Sequence, residues 1–117
     1  HGKLKVFMIL ILAVILIVLV VVCAKKIKLA QNEKNIIGTW KNSSSENVIT
    51  VQDSEALILY NDIPEAGLYH GIASYLYSYT DTIRITQDDI SAEFDIDVDE
   101  NQLIIYFAGQ VYLVLQK

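Results

Sequence analysis

The stretch Thr82–Val98, TIRITQDDISAEFDIDV, settles the fold class. In its second half Ile90, Ala92, Phe94, Ile96 and Val98 alternate with Ser91, Glu93, Asp95 and Asp97. A period of two sends the two sets to opposite faces of a β-strand. A turn at Asp88-Asp89 then lays Ile85 against Ala92, Ile83 against Phe94, and Arg84 against Glu93. Apolar side chains meet apolar ones and the arginine meets an acid, so this register supports itself. A four-residue loop at Asp99–Gln102 continues the pattern, pairing Val98 with Leu103 and Ile96 with Ile105. The three strands form an antiparallel meander.

Outward from this core, short apolar runs alternate with polar turn clusters such as NSSSEN at 42–47, NDIPE at 61–65 and AGQ at 108–110. That spacing indicates consecutive antiparallel strands rather than strand–helix–strand units. Strands are expected near 36–41, 48–52, 56–60, 67–79, 82–87, 90–98, 103–107 and 111–116. Residues 35–117 are thus expected to form an all-β domain, a small up-and-down antiparallel meander or barrel of about eight strands. Many short strands need protected edges, and closing the sheet into a barrel provides them.

The first of these strands opens with Gly38-Thr39-Trp40, which holds the single tryptophan of the chain. A Gly-x-Trp at the start of the first strand resembles the lipocalin signature. The layout of 36–117 is most similar to the short lipocalin-like barrel domains of small bacterial membrane-anchored proteins and lipoproteins. The resemblance implies that Gly38 and Trp40 plug the closed end of the barrel and that the final strand, within VYLVLQK at 111–117, returns to pair with the first. Two features depart from the family. The domain is short for a roomy ligand cavity, and no arginine near the C-terminus is available to stack on Trp40. Arg84 and Lys117 are the remaining candidates.

The N-terminal third has a different character. Val6–Ala24, VFMILILAVILIVLVVVCA, carries no charge over nineteen residues. As a helix it spans roughly 28 Å, close to the hydrocarbon thickness of about 30 Å. It is expected to cross the membrane once, with residues 1–5 as a cytoplasmic head and 25–34 as a juxtamembrane helical stalk. His1 and Gly2, where an initiator methionine would stand, carry no structural weight. Lysines flank both ends of the span, but the short head with Lys3 and Lys5 resembles a signal n-region, which places 35–117 outside the cytoplasm. Lipoprotein signals also run from lysines through an apolar stretch to a cysteine. Here Val20, Val21 and Val22 precede Cys23 where a small residue is usual, so the expectation is an unmodified cysteine at the bilayer boundary.

Charge divides the chain in the same place. Residues 1–34 carry six lysines against Glu33, a net of +5, and residues 35–117 carry three cations against thirteen acids, a net of −10. The basic collar suits anionic lipid headgroups. The acidic domain argues against nucleic acid, which needs a cationic face.

Candidate chemistry is sparse, and no catalytic residue, cofactor or metal ligand is expected. His70 is read as a strand-surface residue with no nucleophile or orienting acid beside it. DIDVDEN at 95–101 resembles a calcium loop only in its acids. Glu100 occupies the sixth position, where glycine is needed, and Tyr106 the twelfth, where glutamate is needed. Tyr75, Tyr77 and Tyr79, in register with Tyr69, are read as one aromatic face of a strand, suited to packing first and ligand binding second.

The last hairpin is apolar on both faces. With Leu103, Ile105 and Phe107 inward, Ile104 and Tyr106 point out. A two-residue turn turns Val111, Leu113 and Leu115 outward as well, and a three-residue loop exchanges them for Tyr112 and Val114. Ile104, Tyr106, Val111, Leu113 and Leu115 are therefore the expected partner surface. The function expected is a membrane-anchored, extracytoplasmic, non-catalytic binding or accessory domain. It would meet lipid through its helix and contact a protein partner, a further copy of itself or an apolar ligand. The alternative is a pilin-like filament subunit, although processed pilins usually have an uncharged head and an acid at the fifth position, unlike Lys3 and Lys5 here.

Overall fold

The computed structural model describes residues 2–53 and 55–117. One helix, α1 (Gly2–Asn35), precedes eight strands: β1 (Gly38–Lys41), β2 (Asn47–Val51), β3 (Ala56–Leu59), β4 (Gly71–Tyr79), β5 (Thr82–Gln87), β6 (Ile90–Val98), β7 (Gln102–Phe107) and β8 (Gln110–Gln116). Each strand pairs antiparallel with the next, and β8 returns to β1, so the sheet is a closed up-and-down barrel. The closing seam is narrow, with Lys41 opposite Gln116 as its register pair. The expected pairs Ile83–Phe94, Arg84–Glu93, Ile85–Ala92, Ile96–Ile105 and Val98–Leu103 are all present. Arg84 donates to Glu93 at 2.6 Å on the outer wall.

The barrel interior follows from alternation. Trp40, Leu57, Ile83, Phe94, Leu103 and Leu115 are almost wholly withdrawn from solvent, whereas Glu93, Asp95 and Asp97 between them are exposed. The helix is different. Its apolar side chains from Leu4 to Val22 are exposed and nothing in the barrel covers them. It is long and apolar enough to cross a membrane, a property that a signal sequence shares.

The structure differs from the expected strand pattern in three places. First, α1 runs on to Asn35, because no glycine or proline interrupts residues 3–37, and β1 starts only at Gly38. Second, β4 starts at Gly71 rather than 67. A short 3₁₀ turn at Pro64–Ala66, ended by Gly67 in the left-handed region at φ 75°, folds the preceding chain back so that Ile63 bridges Leu68. Third, β8 contains a bulge. Tyr106 faces Val111, but the next pair is Ile105 with Leu113, which leaves Tyr112 as an extra residue. The β7–β8 turn is the two-residue Ala108-Gly109, with both residues at positive φ, 52° and 78°. This is the primed geometry that matches strand twist.

Ala108 is a poor residue for that position, since an L side chain in the left-handed region costs about 1–2 kcal/mol. Ala108→Asn should therefore stabilise the domain by about 0.5–1 kcal/mol, read as a higher midpoint in urea with an unchanged slope. An unchanged or lower midpoint would show that the turn is not strained.

Candidate functional site

Three regions hold the residues singled out by the sequence. The first is the junction where α1 enters the barrel. Trp40 is fully buried, and its indole Nε1–H donates to the Ile36 carbonyl at 2.7 Å. The last helical carbonyls need partners from outside the helix, and the barrel supplies some of them. The Asn32 carbonyl accepts both the Ile36 amide at 3.0 Å and the Tyr77 hydroxyl at 2.9 Å. The Asn32 side-chain amide, itself buried, donates to the Thr80 carbonyl at 2.8 Å. Burial pushes the Tyr77 phenol well above its ordinary range, so it stays a donor. Lys117 completes the junction. Its Nζ donates to the Asn35 carbonyl at 3.2 Å and lies 5.2 Å from the centre of the Trp40 ring, a cation–π distance. The cation over the plug is thus Lys117, and Arg84 is engaged with Glu93 instead. Gly38 is required by its φ of 135°, which L residues rarely adopt, and a Cβ there would meet the Lys117 Cε at 2.6 Å.

The second region is the opposite, distal end of the barrel, made by the turn 42–46, the loop 60–70 and the turns 88–89 and 108–109. Inside it lies a cavity of about 120 Å³. Its walls are Ile49, Leu59, Ile85, Phe94, Ile105 and Leu113, and its rim includes Asn42, Asn61, Asp62 and Tyr112. Two larger grooves, of about 500 and 550 Å³, lie where the stalk meets the outer barrel wall. They are open and lined by charged side chains such as Asp81, Asp95 and Glu33. The distal cavity is the one whose shape and lining resemble a binding site, with apolar walls and a few convergent polar groups. At this size it takes one small apolar group rather than a whole drug-sized molecule.

Side-chain bonds hold the loop 60–70 over that mouth, among them two between Gln87 of β5 and the Tyr69 backbone at 2.8 Å each. Tyr112, the bulged residue, stands edge-on to Phe107 with ring centres 6.4 Å apart and donates its hydroxyl to Glu65 at 2.7 Å. Burial and then Glu65 push this phenol up to about 12, while the Tyr112 hydroxyl holds the Glu65 carboxyl below its usual range. Asp62 Oδ1 accepts the His70 amide at 2.9 Å and His70 Nδ1 at 2.7 Å. The His70 backbone bond, followed by its side chain, lowers the Asp62 pKa. An acid does stand beside His70, contrary to the sequence expectation. Sequence reasoning missed it because the 3₁₀ turn brings together residues eight apart in a loop, where no period predicts contacts.

The third region is the outer wall. Ile104 and Tyr106 point outward and are half-buried, and Val111 and Val114 are exposed. Leu115 is fully buried and Leu113 half-buried against the core, so neither belongs to a surface. The bulge at Tyr112 reverses the parity that a two-residue turn alone would impose. The four tyrosines do not form one face either. Tyr75 and Tyr77 point into the barrel, while Tyr69 and Tyr79 are exposed. Tyr69 precedes β4, and a register shift between Tyr77 and Tyr79 turns Tyr79 outward.

No protein-family model matches the chain, and no characterised protein or solved structure is significantly similar to it.

Trp40→Ala should cost about 3–5 kcal/mol, because it empties the junction and leaves the Ile36 carbonyl without its donor. Trp40 emission in the folded protein should be blue-shifted and should move red on unfolding. Emission typical of water in the folded state would rule out the plug.

The Asp62 and Glu65 latches also make the distal loop sensitive to acid. Asp62 and Glu65 have folded pKa values below 3.8 and 4.5 respectively. Their stabilising contribution is present above those ordinary values and is lost as pH falls through the lower folded ones. Amide exchange in residues 60–70 should therefore quicken, relative to β5–β7, as pH drops below about 4. Uniform loss of protection across the barrel would contradict this assignment.

Proposed function

We propose that the chain is a membrane-anchored, non-catalytic binding domain that accepts a small apolar group at the distal mouth of its barrel. The apolar cavity under the loop 60–70 is the observation that carries this proposal. The exposed, uncharged helix supports the anchor, since such a surface is stable only in lipid or against a partner. Of the helix, only Asn32 is buried. About 10 Å of stalk separates Lys25 from Asn32 at 1.5 Å per residue. The junction stands at the membrane-facing end of the barrel, so the mouth opens away from the lipid. The group it receives is then presented from the aqueous side, by a free small molecule or by a partner protein's side chain. The lysine-bearing head favours an extracytoplasmic barrel. The Gly38-Thr39-Trp40 motif, the return of β8 to β1 and the cation over Trp40 support a lipocalin-like relationship. No specific contact favours the filament alternative.

The test is xenon pressure on the full chain in lipid nanodiscs, with the isoleucine and leucine methyls observed by NMR. Xenon enters dry apolar cavities of this kind. Shifts are expected at Ile49, Leu59, Ile85 and Ile105 and not at Leu57 or Leu68. Shifts spread evenly over the core, or none, would defeat the cavity as a site. Protease added to intact cells should remove the barrel and spare the anchor, and full protection would reverse the orientation.

A further inference from the structure

Building on that cavity, we infer that its mouth selects a short apolar group carrying an ammonium head, and discriminates against the same group carrying a carboxylate. Three observations converge on this. The loops at the distal end, 42–46, 60–70, 88–89 and 108–109, hold Glu46, Asp62, Glu65, Asp88 and Asp89 but no lysine or arginine. Their side chains give the opening an excess of negative charge, and His70 lies beside Asp62 at 2.7 Å. Asp62 both lines the cavity and lies half open to solvent, its side chain 48% exposed. Both of its bonds from His70 fall on Oδ1, which leaves Oδ2 without a hydrogen bond among the described residues and available to a donor.

Of the other rim groups, Asn42 uses its side-chain oxygen to accept the Ser44 and Glu46 amides at 3.0 and 3.2 Å, which leaves only its amide nitrogen, a donor, to the mouth; the discrimination therefore rests on the acids. The Glu65 carboxylate is engaged by the Tyr112 hydroxyl and still adds its charge. Below them the walls are aliphatic and aromatic, and a volume of about 120 Å³ suits a branched four- or five-carbon body. A carboxylate over the same walls would meet the Asp62 and Glu65 carboxylates, with no lysine or arginine of these loops to answer it. The ligand class is therefore a small hydrophobic amine, free or at the end of a chain.

An isosteric set separates this inference from the cavity proposal on which it rests: 3-methylbutylamine, 3-methylbutanol and 3-methylbutanoate, titrated at pH 7 into the full chain in zwitterionic nanodiscs. Methyl shifts of Leu59, Ile85 and Ile105 are the readout. The expected order is amine, then alcohol, then acid, with the amine bound at least about tenfold more tightly than the acid in 20 mM salt and the gap narrowing in 500 mM salt. Asp62→Asn should shrink the amine–acid gap severalfold; the readout is the ratio of the two affinities, so that any loosening of the loop, which would weaken all three ligands alike, cancels. The salt series on the unaltered chain gives an independent reading if that variant folds poorly. Equal binding of amine and acid, with the alcohol bound, overturns the charge selection and keeps the cavity. Failure of all three overturns both.

Discussion

The bond from the Trp40 indole to the Ile36 carbonyl joins two structures that obey different solvents. An apolar helix is stable where water is absent, and a barrel with an acidic exterior is stable where water is plentiful. Between them the chain must leave one regular structure and enter another within Ile36 and Ile37 without stranding backbone polar groups. The Asn32 carbonyl serves the helix through the Ile36 amide and the barrel through the Tyr77 hydroxyl. Each partner thereby finishes a hydrogen-bond ladder that the other element leaves open. The Asn32 side-chain oxygen is buried and has no partner, and we have no physical account of it. Its amide nitrogen, bonded to the Thr80 carbonyl, fixes the rotation of the helix against the β4–β5 turn.

This junction has a consequence for the mouth. Because β1 is only four residues long and meets β8 at one register pair, the seam is the weakest part of the barrel wall. Lys117 reinforces it from beyond the end of β8, bonding the Asn35 carbonyl and covering Trp40. The side chains that close the helix-bearing end are therefore large and directional, whereas those at the distal end are aliphatic and leave a void. Filling one end of a small barrel completely and the other incompletely leaves the apolar cavity at the distal end.

How much of this was legible in the sequence depended on whether the two faces of a strand differ. In β5, β6 and β7 apolar and polar residues alternate, so a one-residue slip would bury Asp95 or expose Phe94, and the register could be read directly. In VYLVL the two faces are equally apolar and parity carries no information. The inward turn of Leu113 and Leu115 was set instead by a bulge, for which the sequence gives no separate sign. Tyr79 was misplaced for the same reason, since Tyr75, Tyr77 and Tyr79 look alike until the ladder shifts. The burial of Trp40 at the start of the first strand was legible. The helix end and the pair of Asp62 with His70 were not, because both arise where no periodicity operates.

The bulge that defeats the parity argument is also what builds the mouth. Without an extra residue in β8, the two-residue turn at Ala108-Gly109 would turn Tyr112 and Val114 inward and Leu113 and Leu115 out to solvent. Inserting Tyr112 reverses this. Leu113 becomes cavity wall and Leu115 becomes core. Tyr112, relieved of a place in the ladder, leans over Phe107 and reaches Glu65 on the far loop. One residue thus shrinks the apolar exterior of the last hairpin to Ile104, Tyr106, Val111 and Val114 and lines the interior. It also supplies the hydroxyl that ties the covering loop down. Bulges in sheets often sit where a side chain must be re-aimed toward a site, and this one re-aims a tyrosine to the rim of the distal apolar cavity. The same local irregularity therefore accounts both for the withdrawal of Leu113 and Leu115 from the outer wall and for the lining of the distal cavity.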